Sequence, residues 1–246
     1  MITLCIPSRG RPKLARRMYD SAIAQSNSRK NLEFLFYLNE DDPSLPEYLN
    51  LLNNLPQVKI QVGPHQSTSF SWNRLATRAM FDIICLMGDD VQIETKDWDR
   101  KIYEQFSKYD DKILMVVPST GRPRGYRQSQ WKSKESIRLV KKNEPLPAPH
   151  FAVHKNWIDV LGYMCPPQFW HFYVDSYTQK VARSLERCLF MKDVVWKVKK
   201  IEDNTAHQVR TVLNIRNRED YVWNTCQRHL KSDVTALKNF IDNFKL

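Results

Sequence analysis

The chain has 246 residues with 38 Lys+Arg against 27 Asp+Glu, a formal charge of +11, and only 6 glycines. Average usage of about 7% would give roughly 17 glycines, and neither G-x-G-x-x-G nor G-x-x-x-x-G-K-[ST] occurs, which removes the dinucleotide fingerprint and the P-loop. A phosphorylated ligand would therefore have to be held by a metal ion and basic side chains.

Hydrophobic residues make up 42% of the chain, enough for a folded core. The length fits one domain with an appendage. No apolar run approaches the roughly 18 residues of a membrane span, and the N-terminus lacks a signal-peptide apolar region, so a cytoplasmic protein is expected. Cys5, Cys85, Cys165, Cys188 and Cys226 are widely spaced, odd in number and never C-x-x-C, which predicts buried reduced thiols rather than disulfides or structural zinc.

In chain order, 2–7 reads as a buried strand, and Pro12 opens a helix with Leu14, Met18 and Ala22 on one face. Strands are predicted at 32–38, 58–62, 83–87 and 113–117. Helices are predicted at 46–55, 70–81 and 98–109. Continuously apolar strands separated by helices argue an α/β fold, a mostly parallel central sheet with helices on both faces. Residues 119–149 break the pattern: they are basic, poor in aliphatics and carry Pro145, Pro147 and Pro149 at alternate positions, which predicts a long excursion. Regular structure resumes with a strand at 151–153, helices at 156–161 and from 175 to about 188, and a strand at 194–198. Val222, Cys226, Leu230, Val234, Leu237, Ile241 and Phe244 recur every three to four residues, predicting one long amphipathic C-terminal helix packed on the domain.

In open α/β sheets the ligand crevice lies at the carboxyl ends of the strands. Pro7-Ser8-Arg9-Gly10-Arg11-Pro12 follows the first strand, Asn39-Glu40-Asp41-Asp42 the second, and Gly88-Asp89-Asp90 the fourth. A carboxylate pair after a buried strand suits a divalent cation carrying substrate phosphates. It equally suits a turn or a helix cap.

Three segments, ITLCIPSRGRP at 2–12, SFSWNRLATRA at 69–79 and the strand ending in Gly88-Asp89-Asp90, together resemble a GT-A glycosyltransferase of the large family-2-like group. The resemblance covers residues 1–210, as a nucleotide-sugar half (1–118) and an acceptor half (119–210), and leaves 211–246 as a C-terminal helical extension. It implies that Pro7, Ser8, Arg9, Asp41, Asp42 and Asn73 contact the donor, and that Asp90 ligates Mn2+ or Mg2+ on the donor diphosphate. Gly-Asp-Asp stands where the family has Asp-x-Asp, which leaves Asp89 as a donor or a metal contact. Asp175, at the end of Gln168-Phe-Trp-His-Phe-Tyr-Val-Asp175, resembles the catalytic base; as a residue type it also suits a helix cap. His207 resembles the late histidine that completes the metal shell, although a lone histidine in a polar loop is more often simply exposed. Arg74 stands near the diphosphate or on an exposed helix face.

Arg122, Arg124, Arg127, Lys132, Lys134, Arg138, Lys141 and Lys142 cluster in the excursion with Tyr126 and Trp131, and Trp170 and His171 precede Asp175. Basic side chains neutralise phosphates and aromatic rings stack an extruded base. The expectation is therefore a metal-dependent inverting transferase using a UDP-sugar, with Arg122, Arg124, Arg127, Trp131, Trp170 and His171 at the acceptor. That acceptor is expected to be a hydroxymethylated pyrimidine in DNA, as for virus-encoded DNA-modifying glycosyltransferases, which work in the host cytoplasm. A transferase acting on a cell-envelope glycan or a protein, and a non-catalytic nucleic-acid-binding protein on the same fold, are the alternatives. The positive charge also fits a solubilising surface or association with anionic lipid.

Overall fold

A computed structural model describes residues 1–121, 135–142, 144, 149–198 and 215–244, with Ile215 and Arg216 in backbone only. The elements run β1 (Ile2–Ser8), α1 (Pro12–Gln25), β2 (Leu32–Asn39), α2 (Leu45–Leu52), β3 (Val58–Gly63), α3 (Thr68–Ala76), β4 (Ile83–Leu86), β5 (Val91–Ile93), α4 (Trp98–Phe106) and β6 (Met115–Ser119). They continue with β7 (Ile137–Leu139), β8 (Phe151–His154), α5 (Lys155–Leu161), α6 (Val174–Ser184), β9 (Cys188–Val198), α7 (Ile215–Thr225) and α8 (Gln227–Asn243).

Among the described residues the sheet has the order β3-β2-β1-β4-β8-β6-β9-β5, with β7 also on β9. β1, β2, β3, β4, β6 and β9 point one way, and β5, β7 and β8 the other. The carboxyl ends of β1 to β4 thus share one edge. Because β8 runs against β4, pairing Leu86 with Phe151, the chain entering β8 also starts at that edge.

Strand alternation divides the core into two layers. Ile2, Leu4, Ile6, Phe34 and Phe36 meet α1, α2 and α4 through Met18, Tyr48, Leu52, Trp98 and Ile102. Cys5, Leu35, Tyr37, Ile84 and Leu86 belong to the opposite cluster, which includes Leu75, Trp157, Tyr177, Val181, Leu230 and Leu237. Helices therefore cover both faces, as the apolar strands predict. Trp98 donates to the Ala22 carbonyl at 3.0 Å and packs edge-on against Trp196, with ring centroids 5.7 Å apart, tying α4 to α1 and β9. All five cysteines are free and buried. Among the described residues no helix is long and apolar enough to cross a membrane.

Several elements depart from the sequence expectation. β5 is a three-residue strand directly after the acidic pair, too short for periodicity to show. Within the excursion, Ile137–Leu139 forms β7, paired to β9, where a loop is expected. α6 stops at Ser184 rather than near Cys188, because Glu186 adopts a left-handed φ of 55° without a glycine to mark it, and β9 then begins at Cys188 rather than at 194. The C-terminal helix is two helices that meet at Cys226.

Leu230, Leu237 and Ile241 of α8 are buried at the expected spacing. Leu237 is 0% exposed, so Leu237→Ala should cost about 2–5 kcal/mol in urea unfolding. A cost under about 1 kcal/mol would show α8 to be outside the cooperative core.

Candidate active site

The first loop is fastened to the rest of the molecule by one buried carboxylate. Asp89 is 0% exposed. It accepts from the Ser8 hydroxyl and from Arg11 Nε at 3.0 Å, while Arg11 Nη2 lies 2.8 Å from its second oxygen. Ser8 Oγ also meets the Tyr48 hydroxyl at 2.5 Å, and that hydroxyl accepts the Arg11 backbone N–H at 2.8 Å. Desolvation pushes the Asp89 pKa up to about 6, against the opposing pull of Arg11 and Ser8. Burial, followed by the nearby Asp89 charge, likewise raises the Tyr48 phenol.

The loop after β2 supports the same turn. Gly10 has a φ of 68°, a conformation glycine adopts without strain. Its N–H donates to Asp42 at 2.7 Å, and the other Asp42 oxygen accepts from Ser44 N at 2.9 Å. Asp42 is thereby a loop tie. Asp41 is more exposed and accepts both Arg9 terminal nitrogens, at 2.5 and 3.2 Å, which lowers its pKa.

A cleft opens beside these loops, lined by Pro7, Ser8, Arg9, Arg11, Tyr37, Asn39, His65, Gln66, Thr68, Ser71, Trp170 and His171. Of the expected donor contacts, Pro7, Ser8 and Arg9 lie here. Trp170 and His171, expected at the acceptor, line the same cleft. His65 and Gln66 carry no motif; their sequence signal is their place after a third parallel strand, β3.

The far wall is held by α3 and by the C-terminal helices. Thr68 donates its N–H and its hydroxyl to the Trp170 carbonyl, at 2.8 and 2.9 Å. Asn73, expected to contact the donor, instead clamps backbone: its amide donates to Cys165 O at 2.7 Å, and its oxygen accepts from Met164 N at 3.0 Å and Cys165 N at 2.8 Å. Glu219 of α7 is 1% exposed. Its two carboxylate oxygens accept the His171 and Phe172 backbone N–H groups, each at 2.7 Å. Tyr173, which caps α6 with a left-handed φ of 64°, stacks on Trp223 at 5.0 Å and donates its hydroxyl to Asp220. Such a conformation in a bulky residue costs on the order of 1–3 kcal/mol and needs this bracing. Glu219 carries no motif that sequence reading could have used.

Neither Asp175 nor Asp90 is among the residues that line this cleft. Asp175 is the second residue of α6; Tyr173 occupies the N-cap, and the Asp175 carboxylate serves the first turn by accepting the Ser176 N–H. Desolvation raises its pKa, offset in part by the Ser176 N–H, which donates to it at 2.8 Å. Asp90, one residue beyond Asp89, is only partly buried. A β-carbon built on Gly88 would lie 2.7 Å from Asp90 Oδ1 and 3.1 Å from His150 Cε1. Gly88 therefore leaves room for a carboxylate and an imidazole to close on the same backbone position, and these are donor types that suit a divalent cation. Asp89, expected at the donor or the metal, gives one oxygen to hydrogen bonds from Ser8 and Arg11, while its other oxygen is in ion-pair contact with Arg11 without a hydrogen bond among the described residues. Arg74 is exposed. His207, Arg122, Arg124, Arg127 and Trp131 lie outside the described residues. Among the described residues no cluster of three or more acidic, histidine or cysteine side chains could hold a metal.

The fold is similar to that of solved GT-A-like glycosyltransferases. The mannosyltransferase PcManGT from Pyrobaculum calidifontis, solved with GDP-Man and Mn2+, superposes with a TM-score of 0.66 at 17% identity over 85% of this chain and 60% of its own. S. aureus TarS 1-349, solved with UDP-GlcNAc, gives 0.64 at 13% identity over 83% of this chain and 60% of its own. The UDP complex of the same protein gives 0.61 at 13% identity over 79% and 59%. The chain thus spans about three fifths of these structures. No protein-family model and no curated protein sequence matches it.

Asp89 titrates differently in the folded and unfolded chain, which gives a signed expectation. Its folded pKa near 6 lies above the ordinary aspartate value of about 3.9. The folded state therefore holds the proton more tightly, and the associated stability is present at low pH and lost as pH rises through 6. The stability of wild type relative to Asp89→Asn should fall by on the order of 3 kcal/mol between about pH 3.5 and 7. A difference that grows with pH would show the Arg11 pairing to outweigh burial.

Proposed function

We propose that the chain is a metal-dependent inverting glycosyltransferase that moves a sugar from a UDP-sugar to a hydroxyl of a hydroxymethylated pyrimidine in DNA. The observation that carries the reading is the cleft itself. It sits at the carboxyl ends of the parallel strands, between the braced first loop and Trp170-His171, on a fold whose compared structures were solved with nucleotide sugars.

In this reading Pro7, Ser8, Arg9 and the Asp41 side of the cleft take the nucleoside. Asp90 holds a divalent cation, with His207 from beyond the described residues as a further ligand. A bound Mn2+ or Mg2+ supplies positive charge to the departing diphosphate. Asp175 takes the acceptor hydroxyl proton while that oxygen bonds to the anomeric carbon, opposite the breaking bond to the diphosphate. Nucleoside diphosphate leaves and the anomeric centre inverts. A raised carboxyl pKa makes Asp175 a better proton acceptor than an exposed aspartate.

The acceptor assignment draws on the net charge of +11 and on the basic stretch that holds Arg122, Arg124, Arg127, Arg138, Lys141 and Lys142. Hydroxymethylated and unmodified duplexes, offered with common sugar nucleotides, should separate the readings: transfer is expected only to the former. Transfer to glycans with inert DNA selects the cell-envelope alternative. Salt-sensitive DNA binding with no nucleotide-sugar binding selects a non-catalytic protein.

Asp175→Asn should keep donor affinity and lower turnover by about 100-fold or more; near-wild-type turnover would remove Asp175 from the reaction. Asp90→Ala should weaken UDP binding in Mn2+ while leaving metal-free binding unchanged. Equal affinity for both proteins in Mn2+ would contradict the metal role.

A further inference from the structure

The geometry points to His150 as a protein ligand of the divalent cation held by Asp90, an assignment that rests on the metal-dependent reading above. Its basis is the space at Gly88. A β-carbon there would meet Asp90 Oδ1 at 2.7 Å, His150 Cε1 at 3.1 Å and His150 Nε2 at 3.7 Å. The carboxylate and the imidazole therefore both close on one backbone position, the ring through Cε1 with Nε2 next, and the missing side chain leaves room for them.

Sheet topology explains why the two residues meet although 60 positions apart in sequence. β8 runs antiparallel to β4 with Phe151 opposite Leu86. The residue before β8 is consequently delivered to the loop after β4, at the edge where the donor cleft opens. Burial orients the ring: His150 is 8% exposed and its Nδ1 is shut away from solvent, while Nε2 lies nearer the Gly88 side. Met87 just ahead of the loop is braced by Trp72, whose Nε1 donates to its carbonyl at 3.3 Å.

The two acids of the loop divide the work. Asp89 points into the protein and is spent on Ser8 and Arg11. Asp90 is left as the one carboxylate of the pair beside the imidazole. One carboxylate oxygen and one imidazole nitrogen form a mixed donor set that suits Mn2+ better than Mg2+. With His207 of the reading above as a further ligand, the remaining positions fall to diphosphate oxygens and water. The resemblance in sequence points to that late histidine; His150 is a second one, from the other side of the acidic loop.

Gly88 makes the arrangement testable by itself. Its backbone lies outside the left-handed region, so alanine fits the conformation and the added methyl acts by pushing the Asp90 carboxylate and the His150 ring aside.

The experiment is Mn2+ titration of the intact chain, with and without UDP, followed by electron paramagnetic resonance. Pulsed spectra recorded in a His207→Ala background report nitrogen bonded to Mn2+ from His150 alone. His150→Ala should weaken Mn2+ binding by about tenfold or more and abolish the nitrogen coupling. His150→Gln, which keeps the volume if the alanine variant does not fold, should do the same, and Gly88→Ala should also weaken binding. If His150→Ala and His150→Gln fold and keep both affinity and coupling while Asp90→Asn loses Mn2+, the His150 assignment is wrong and the metal-dependent reading survives. If the unsubstituted chain holds no Mn2+ even with UDP, both fail.

Discussion

The site depends on a single buried charge. Asp89 ends the β4 segment inside the protein, and its carboxylate reaches across to Ser8 and Arg11 of the first loop. Leaving a carboxylate in a dry interior is costly unless it is paired and hydrogen-bonded. Here the pairing partner is the side chain that opens the approach to α1. The first loop thus takes one shape because any other would strand Asp89. Tyr48 extends this tie to α2 and Asp42 extends it to the turn at Gly10. The cleft wall formed by Pro7, Ser8 and Arg9 is consequently set before a ligand arrives, which reduces the ordering cost of binding.

The opposite wall is built by sequence-distant elements. Trp170 and His171 sit in an irregular segment whose backbone is taken up by Thr68 from one side and Glu219 from the other. Tyr173 is held in a left-handed conformation by its stack on Trp223. The C-terminal helices therefore act on the site without lining it: they fix the segment that leads into Asp175. This gives α7 and α8 a functional reason to share the core of the main fold, beyond the apolar face that Leu230 and Leu237 bury.

Much of the frame was legible because buried strands are written as short apolar runs and helices as three-to-four spacing. Ile2–Ser8 and Leu32–Asn39 follow from that rule almost to the residue, as does the start of the first helix at Pro12. β5 and β7 were hidden because three residues are too few for a period, and β7 carries Arg138 between Ile137 and Leu139. The acidic loop was legible as chemistry but not as geometry. Sequence places Asp89 and Asp90 side by side; only the fold shows that one turns inward to Arg11 and the other stays near the surface. Asn73 lies in a helix whose motif points to a ligand contact, yet its amide serves the 164–165 backbone. His150 and Glu219 had no sequence signal at all. The first depends on β8 running antiparallel, and the second on where a C-terminal helix docks.

The central claim is that this braced cleft holds a nucleoside diphosphate through a divalent cation. Melting temperatures measured across a panel of nucleoside diphosphates, each with and without Mn2+, test it most directly, because a ligand that binds only the folded state stabilises it in proportion to its affinity. At about 100 times its dissociation constant, UDP with Mn2+ should raise the melting temperature by on the order of 5 °C, and UDP alone by much less. No shift with any nucleotide, in the presence or absence of Mn2+, would contradict the account.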